Sequence, residues 1–276
     1  MKRALTIQDI SCVGKCSLTV ALPIISAFGV ETSVIPTAVL STHTAFKNFT
    51  FCDLTDEIEK ISNAWQKENI SFDAIYTGYL GSSKQISIIS ELFKTFKTKD
   101  NFILVDPVMG DNGKLYSGFD QTFADEMALL CKNADVIVPN LTEASFMLHT
   151  PYIASGYDEE YIKDLLKKLC ALGVKTAVIT GVSPKGKENL LGVYAFNSET
   201  GEYFSYYREK LPESFHGTGD VFASSLCGAL TTSNDLYGAL KTAVDFTVLS
   251  IQKTVENKNH NWYGVDFESA LPYLLK

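Results

Sequence analysis

No block of lysine or arginine occurs in the 276-residue chain, which carries 24 basic against 32 acidic residues and a formal charge of −8. The electrostatic footprint of a nucleic-acid binder or of a protein held on an anionic membrane is therefore missing, and any site for an anion has to be built locally. Long hydrophobic runs are absent too. The longest nearly uncharged stretch, residues 20–30, covers about half the length that spans a bilayer. A basic start at Lys2-Arg3 is followed by an apolar run that Gln8 and Asp9 interrupt, so no signal peptide is expected. Together these absences predict a soluble, cytoplasmic protein that engages neither nucleic acid nor membrane. Dense cysteine pairing is also lacking. Cys12, Cys16, Cys52, Cys131, Cys170 and Cys227 are scattered and are expected to be reduced, and no second Cys/His pair accompanies Cys12 and Cys16 as a zinc site requires. With no Pro/Gly/Ser-rich linker, repeat or low-complexity segment, residues 1–276 are expected to form a single domain.

A chain that is 46% hydrophobic and 20% charged can fill a sizeable core. Short β-branched runs alternate with longer segments of helical period. This pattern predicts an α/β fold with a central, mostly parallel sheet flanked by helices on both faces. Strands are expected at 4–8, 32–36, 72–77, 102–105, 136–138 and 176–179, with an antiparallel edge hairpin at 190–196 and 203–207. Helices are expected at 17–28, from Asp53 or Thr55 to 67, around Ile86, Ile89, Leu92, Phe93 and Phe96, and at 121–132. Others open at Thr142-Glu143, run over 161–172, follow residues 217–220, and cover 236–255 and 267–275. Gly110, Asp111, Asn112 and Gly113 predict a flexible loop, and residues 110–116 are expected to act as a lid that excludes water.

In open α/β sheets, ligands bind beyond the carboxyl ends of the strands. Reading each strand to its end brings Ser11, the loop Ser41-Thr42-His43-Thr44, Tyr79, Asp106, Asn140 and Thr180 toward one rim. Turn chemistry alone explains any one of them, but less readily the set. Late in the chain, Gly217-Thr218-Gly219-Asp220 opens a segment of small apolar residues. Glycines allow close backbone approach to a ligand, and the first N–H groups of a helix favour an anion. Asp220 is either a helix cap or a carboxylate base in that turn. Two phosphate motifs fail: a Walker loop at Val13-Gly14-Lys15-Cys16-Ser17 lacks its upstream glycine, and the late turn lacks the third glycine of a dinucleotide fingerprint. No serine-hydrolase elbow is present.

Four motifs then occur in order: Thr77-Gly78-Tyr79-Leu80-Gly81-Ser82, Val105-Asp106-Pro107-Val108-Met109-Gly110, Val138-Pro139-Asn140-Leu141-Thr142-Glu143-Ala144 and Gly217-Thr218-Gly219-Asp220. In this the chain resembles the ribokinase superfamily, and within it the pyridoxal kinases, over essentially its whole length. The resemblance implies a ribokinase-like fold and transfer of the ATP γ-phosphoryl group to the 5′-hydroxymethyl of pyridoxal, pyridoxine or pyridoxamine. It implies Asp220 as general base, with Gly217, Thr218 and Gly219 as the anion hole. Asp106 would lie near the phosphates and Mg2+, with Asn140 and Glu143 orienting metal-bound water; their alternative is a capping box. Thr180 would lie near the ATP phosphates, and the hairpin with residues 206–215 beside the adenine. Ser11 and Thr44 would hydrogen-bond the vitamin, His43 would line its pocket and Tyr79 would stack on the ring, unless Tyr79 is core. A K+ ion near the anion hole and a homodimer are further implications.

Ala45-Phe46 and the Cys12–Cys16 loop depart from the family pattern and bear on substrate preference. The alternatives are a hydroxymethylpyrimidine kinase of thiamine biosynthesis, which shares the fold and the Asp-Pro and Gly-Thr-Gly turns, and a non-catalytic nucleotide-binding regulator. The latter has no need of Asp220.

Overall fold

The computed structural model describes residues 1–213, 215–233 and 235–275; Ser214, within the segment expected beside the adenine, lies outside them. In chain order the elements are β1 (Arg3–Val13), α1 (Leu18–Ala27), β2 (Glu31–Thr42), β3 (Phe51–Asp53), α2 (Thr55–Lys67) and β4 (Ala74–Thr77). Next come α3 (Ser83–Phe96), β5 (Phe102–Val105), β6 (Gly110–Asp111), β7 (Lys114–Leu115), α4 (Gln121–Cys131), β8 (Val136–Ile137), α5 (Leu141–Met147) and α6 (Glu159–Ala171). The last are β9 (Thr176–Val182), β10 (Leu190–Asn197), β11 (Glu202–Glu209), α7 (Thr218–Thr232), α8 (Leu236–Glu256) and a 3-10 helix, Glu268–Tyr273. The chain forms two compact units, residues 1–80 with 211–276, and residues 81–210. Among the described residues no helix is long and apolar enough to cross a membrane.

In the first unit, strands lie in the order β3, β2, β1, β4. β1 is parallel to both β2 and β4, whereas β3 runs antiparallel on β2. Ala4, Leu5 and Ile7 are wholly buried, as expected of a strand paired on both edges. β1 and β2 both run further than their sequences predict. Beyond Gln8 the register shifts, and Ile10, Ser11 and Val13 then pair with Val39, Leu40 and Thr42. Pro36, which reads as a strand end, stands opposite Gln8 beside that irregularity, the kind of place where a sheet tolerates proline. The α1 residues Val20 and Ile24 share one core cluster with Val221 of α7, Phe246 of α8 and the later residues Val265, Phe267 and Ala270. That cluster ties the start of α7 to α1.

In the second unit the order is β5, β8, β9, β10, β11. The first three are parallel, and the edge hairpin β10–β11 is antiparallel as the sequence predicts. Asp135 accepts hydrogen bonds from the Ile103 amide at 2.8 Å and from Lys97 at 2.6 Å, which anchors the chain entering β8 to the start of β5. Where a flexible loop is predicted at 110–113, β6 and β7 instead form a small hairpin, turned by Asn112 and Gly113 at φ 51° and 76°. The mostly parallel α/β architecture thus agrees with the periodicity of the sequence.

Candidate functional site

Gly217 opens α7 in the left-handed region at φ 81°, and a Cβ there would collide with the carbonyl of Lys15. Glycine is therefore required twice over, by conformation and by close approach. Thr218 turns its hydroxyl back to the Phe215 carbonyl at 3.3 Å. Gly219 differs, because an added Cβ would meet nothing within 4 Å. Packing does not explain that glycine. Asp220 is the third residue of the helix, whose first turn packs against the segment before Ser17, and Gly217 caps the helix without any side-chain bond.

Burial raises the Asp220 carboxyl to about 7; the Ser17 amide opposes this and the Asp9 charge adds to it. The folded chain thus holds this proton more tightly than the unfolded chain. Its contribution to stability is complete below the ordinary value of 3.8 and is lost as pH rises through about 7. Thermal melts of the wild type are therefore expected to fall relative to those of Asp220→Asn across that interval. Parallel pH curves for the two proteins would contradict the shift.

Asp9 stands at the irregularity in β1, 5% exposed. Its two oxygens accept the hydroxyls of Ser17 at 2.6 Å and Ser11 at 3.2 Å. Ser11, expected in a loop, instead lies within β1, 1% exposed, with its proton given to Asp9. His43 follows β2 and is 8% exposed. The Ala45 amide donates to its Nδ1 at 3.2 Å, so Nε2 carries the proton and donates to the Tyr263 carbonyl at 2.9 Å. Burial lowers its pKa, favouring the neutral ring. With both nitrogens engaged, His43 presents a ring surface, packed against Phe46 at 4.9 Å and His216 at 5.6 Å. Tyr79 is partly buried, and the Asp9 charge adds to burial in raising its hydroxyl pKa. Thr44 is exposed. The Cys16 thiol, pushed up to about 12 by burial and by Asp220 and Asp9, is no thiolate at neutral pH.

The second unit groups the other expected residues at the carboxyl ends of β5, β8 and β9. Asp106 follows β5 and is 7% exposed. Asn140 bridges Thr180, which lies inside β9 and donates its amide to Pro139 at 2.9 Å. Asn140 and Glu143 form a full capping box. Asn140 Oδ1 accepts the Thr142 and Glu143 amides at 2.8 and 3.0 Å, while its Nδ2 donates to the Gly110 carbonyl at 2.9 Å. Glu143 accepts the Asn140 amide at 2.9 Å and the Met109 amide at 3.2 Å, and burial raises its pKa. Asn140→Ala is expected to cost about 1–2 kcal/mol, measured by denaturant unfolding; an unchanged midpoint would deny the cap its role.

Among the described residues no group of three or more His, Cys, Asp or Glu is placed to hold a metal ion. Magnesium, which keeps waters and takes phosphate oxygens, needs only one or two carboxylates. Asp106 has the hard-oxygen chemistry for this, while the polar atoms of Asn140 and Glu143 are already committed to backbone groups. Sequence reasoning missed Asp9 and Ser17. The available signal was a carboxylate directly after the buried run 4–8, followed by serines two and eight positions on.

Residues 22–264 match the family model described as phosphomethylpyrimidine kinase. A crystal structure from Bacteroides thetaiotaomicron, described as a phosphomethylpyrimidine kinase and solved with pyridoxal, is 41% identical; the match covers 99% of this chain and 95% of that one, with a TM-score of 0.93. Pyridoxal kinase from Lactobacillus plantarum is 30% identical, with a TM-score of 0.90 over 100% of this chain and 97% of that one. Pyridoxal kinase from Dictyostelium discoideum is 27% identical, covering 94% of this chain and 87% of its own length.

Proposed function

The chain belongs to the phosphomethylpyrimidine kinase family, and we propose that it is an ATP-dependent kinase acting on the 5′-hydroxymethyl group of vitamin B6 vitamers. The observation that carries this reading is the turn at 217–220, where open space at Gly219 adjoins the Asp220 carboxylate in the first turn of α7. Phosphoryl transfer demands positioning, charge stabilisation and a proton acceptor rather than covalent chemistry. Asp220 takes the proton of the attacking hydroxyl. The N–H groups of residues 217–219 stabilise the charge on the transferring phosphoryl group. His43 and Tyr79 offer ring surfaces to a flat substrate, and Ser11 and Thr44 offer hydroxyls. Asp106 and Thr180 serve the nucleotide, with Asp106 the carboxylate for Mg2+ and the capping box of Asn140 and Glu143 as scaffold. When bound, the metal neutralises phosphate charge.

The relative solved with pyridoxal at 41% identity supports a vitamin B6 substrate. The description of the matching family supports the second reading, a hydroxymethylpyrimidine kinase; both acceptors are primary alcohols on a heteroaromatic ring. Comparing kcat/KM for pyridoxal, pyridoxine, pyridoxamine and hydroxymethylpyrimidine at one ATP concentration separates them. Preference for a B6 vitamer is expected, and turnover of hydroxymethylpyrimidine alone would establish the second reading instead.

A further inference from the structure

The loop after β2 and the loop after α8 meet at His43. Its Nε2 donates to the Tyr263 carbonyl at 2.9 Å, and its ring centre lies 6.1 Å from that of Trp262 and 6.4 Å from that of Tyr263. Phe46 closes the group. Its ring centre is 4.9 Å from His43, 4.6 Å from Trp262 and 5.5 Å from Tyr263. Gly14 leaves room for the histidine, since a Cβ there would stand 2.8 Å from His43 Cδ2. These rings are not simply core. Phe46 is half-buried and Trp262 is 56% exposed. A lone exposed apolar side chain needs no explanation, but adjoining aromatic ones mark a recognition surface. The cluster also borders the glycine turn, because the His216 ring lies 5.6 Å from His43 and His216 directly precedes Gly217.

We propose that Phe46 and Trp262 are specificity-determining residues that form the outer wall of the acceptor pocket. They pack on the heteroaromatic ring whose hydroxymethyl group is presented to the turn at 217–220, as aromatic faces and edges readily do. The inference rests on the kinase reading above. It adds Trp262, which no sequence motif marks, and it gives the departure at Ala45-Phe46 a function. The Ala45 amide fixes the His43 ring at 3.2 Å, and Phe46 supplies the surface on which Trp262 rests.

The chain has two tryptophans. The other, Trp65, packs on Phe72, so Trp65→Phe leaves Trp262 as the only indole emitter. Acrylamide should quench that emission readily in the free protein, and saturating pyridoxine should lower the quenching slope. In turnover with pyridoxal, Trp262→Ala is expected to raise the KM for pyridoxal about tenfold, the scale of one lost aromatic contact, with kcat and the KM for ATP unchanged. Trp262→Phe keeps a ring and should restore most of that loss. The quenching measurement needs no change at Trp262, so it stands even if Trp262→Ala does not fold. An unchanged KM for pyridoxal in Trp262→Ala, or a quenching slope indifferent to pyridoxine, would overturn the proposal. A slope that falls with protein concentration and not with pyridoxine would overturn it too, by making Trp262 a contact between copies. A wild type that turns over no B6 vitamer would show instead that the kinase reading is wrong.

Discussion

Replacing Asp220 by asparagine is expected to lower kcat by about 10²–10⁴-fold, the range that a positioned general base contributes, while leaving nucleotide binding intact. Asparagine nearly reproduces the shape of the side chain and keeps one oxygen as an acceptor. What it cannot do is take a proton from the attacking hydroxyl. Because burial places the carboxyl near 7, the wild-type rate should also rise through that region as the base ionises. Calorimetric titration with ATP beside turnover distinguishes the cases. Lost binding would assign Asp220 to the nucleotide, and retained turnover would remove it from the chemistry.

Gly219→Ala is expected to separate stability from activity. An added methyl meets no protein atom within 4 Å, and alanine in place of a helical glycine stabilises by roughly 1 kcal/mol. On a helix the Cα–Cβ bond tilts toward the amino terminus, so the methyl enters the space faced by the unpaired amides of α7. If the transferring phosphoryl group occupies that space, kcat should fall by roughly 10²–10³-fold, as when one charge-stabilising donor is lost. Melting temperature and turnover should therefore move in opposite directions. A variant with unimpaired turnover would put the anion elsewhere. Gly217 allows no such test, because substitution there strikes the Lys15 carbonyl and perturbs the fold itself.

The turn that opens α7 is legible in the sequence because it is local: two glycines, a carboxylate and a helix of small apolar residues are adjacent. The carboxyl ends of β5 and β8 were legible for the same reason, each marked by Asp106-Pro107 or Pro139-Asn140. Asp9 was not. Its meaning depends on β1 continuing past a register shift, on β2 extending through Pro36, and on a serine eight positions later adopting a glycine-like backbone. Propensity registers none of these, since tertiary pairing decides them. Proline usually stops a strand, so the sequence predicts an early end to the second strand, whereas Pro36 sits beside the irregularity and the strand continues. The role of Asn140 and Glu143 was ambiguous for another reason: a capping box and a pair of metal-orienting side chains share one spacing. Only the hydrogen bonds to residues 109 and 110 show how fully those atoms are used. The joining of residues 211–276 to residues 1–80 left no trace either, because no change of composition marks residue 80 or 210.

Phosphorus NMR of the purified chain with ATP, Mg2+ and pyridoxal tests the central claim most directly, because it identifies both products of phosphoryl transfer. The expected result is a phosphomonoester resonance growing in step with ADP, and its absence when Asp220→Asn replaces the wild type. Unchanged ATP, or ADP accompanied only by inorganic phosphate, would contradict a vitamin B6 kinase built on the turn at 217–220.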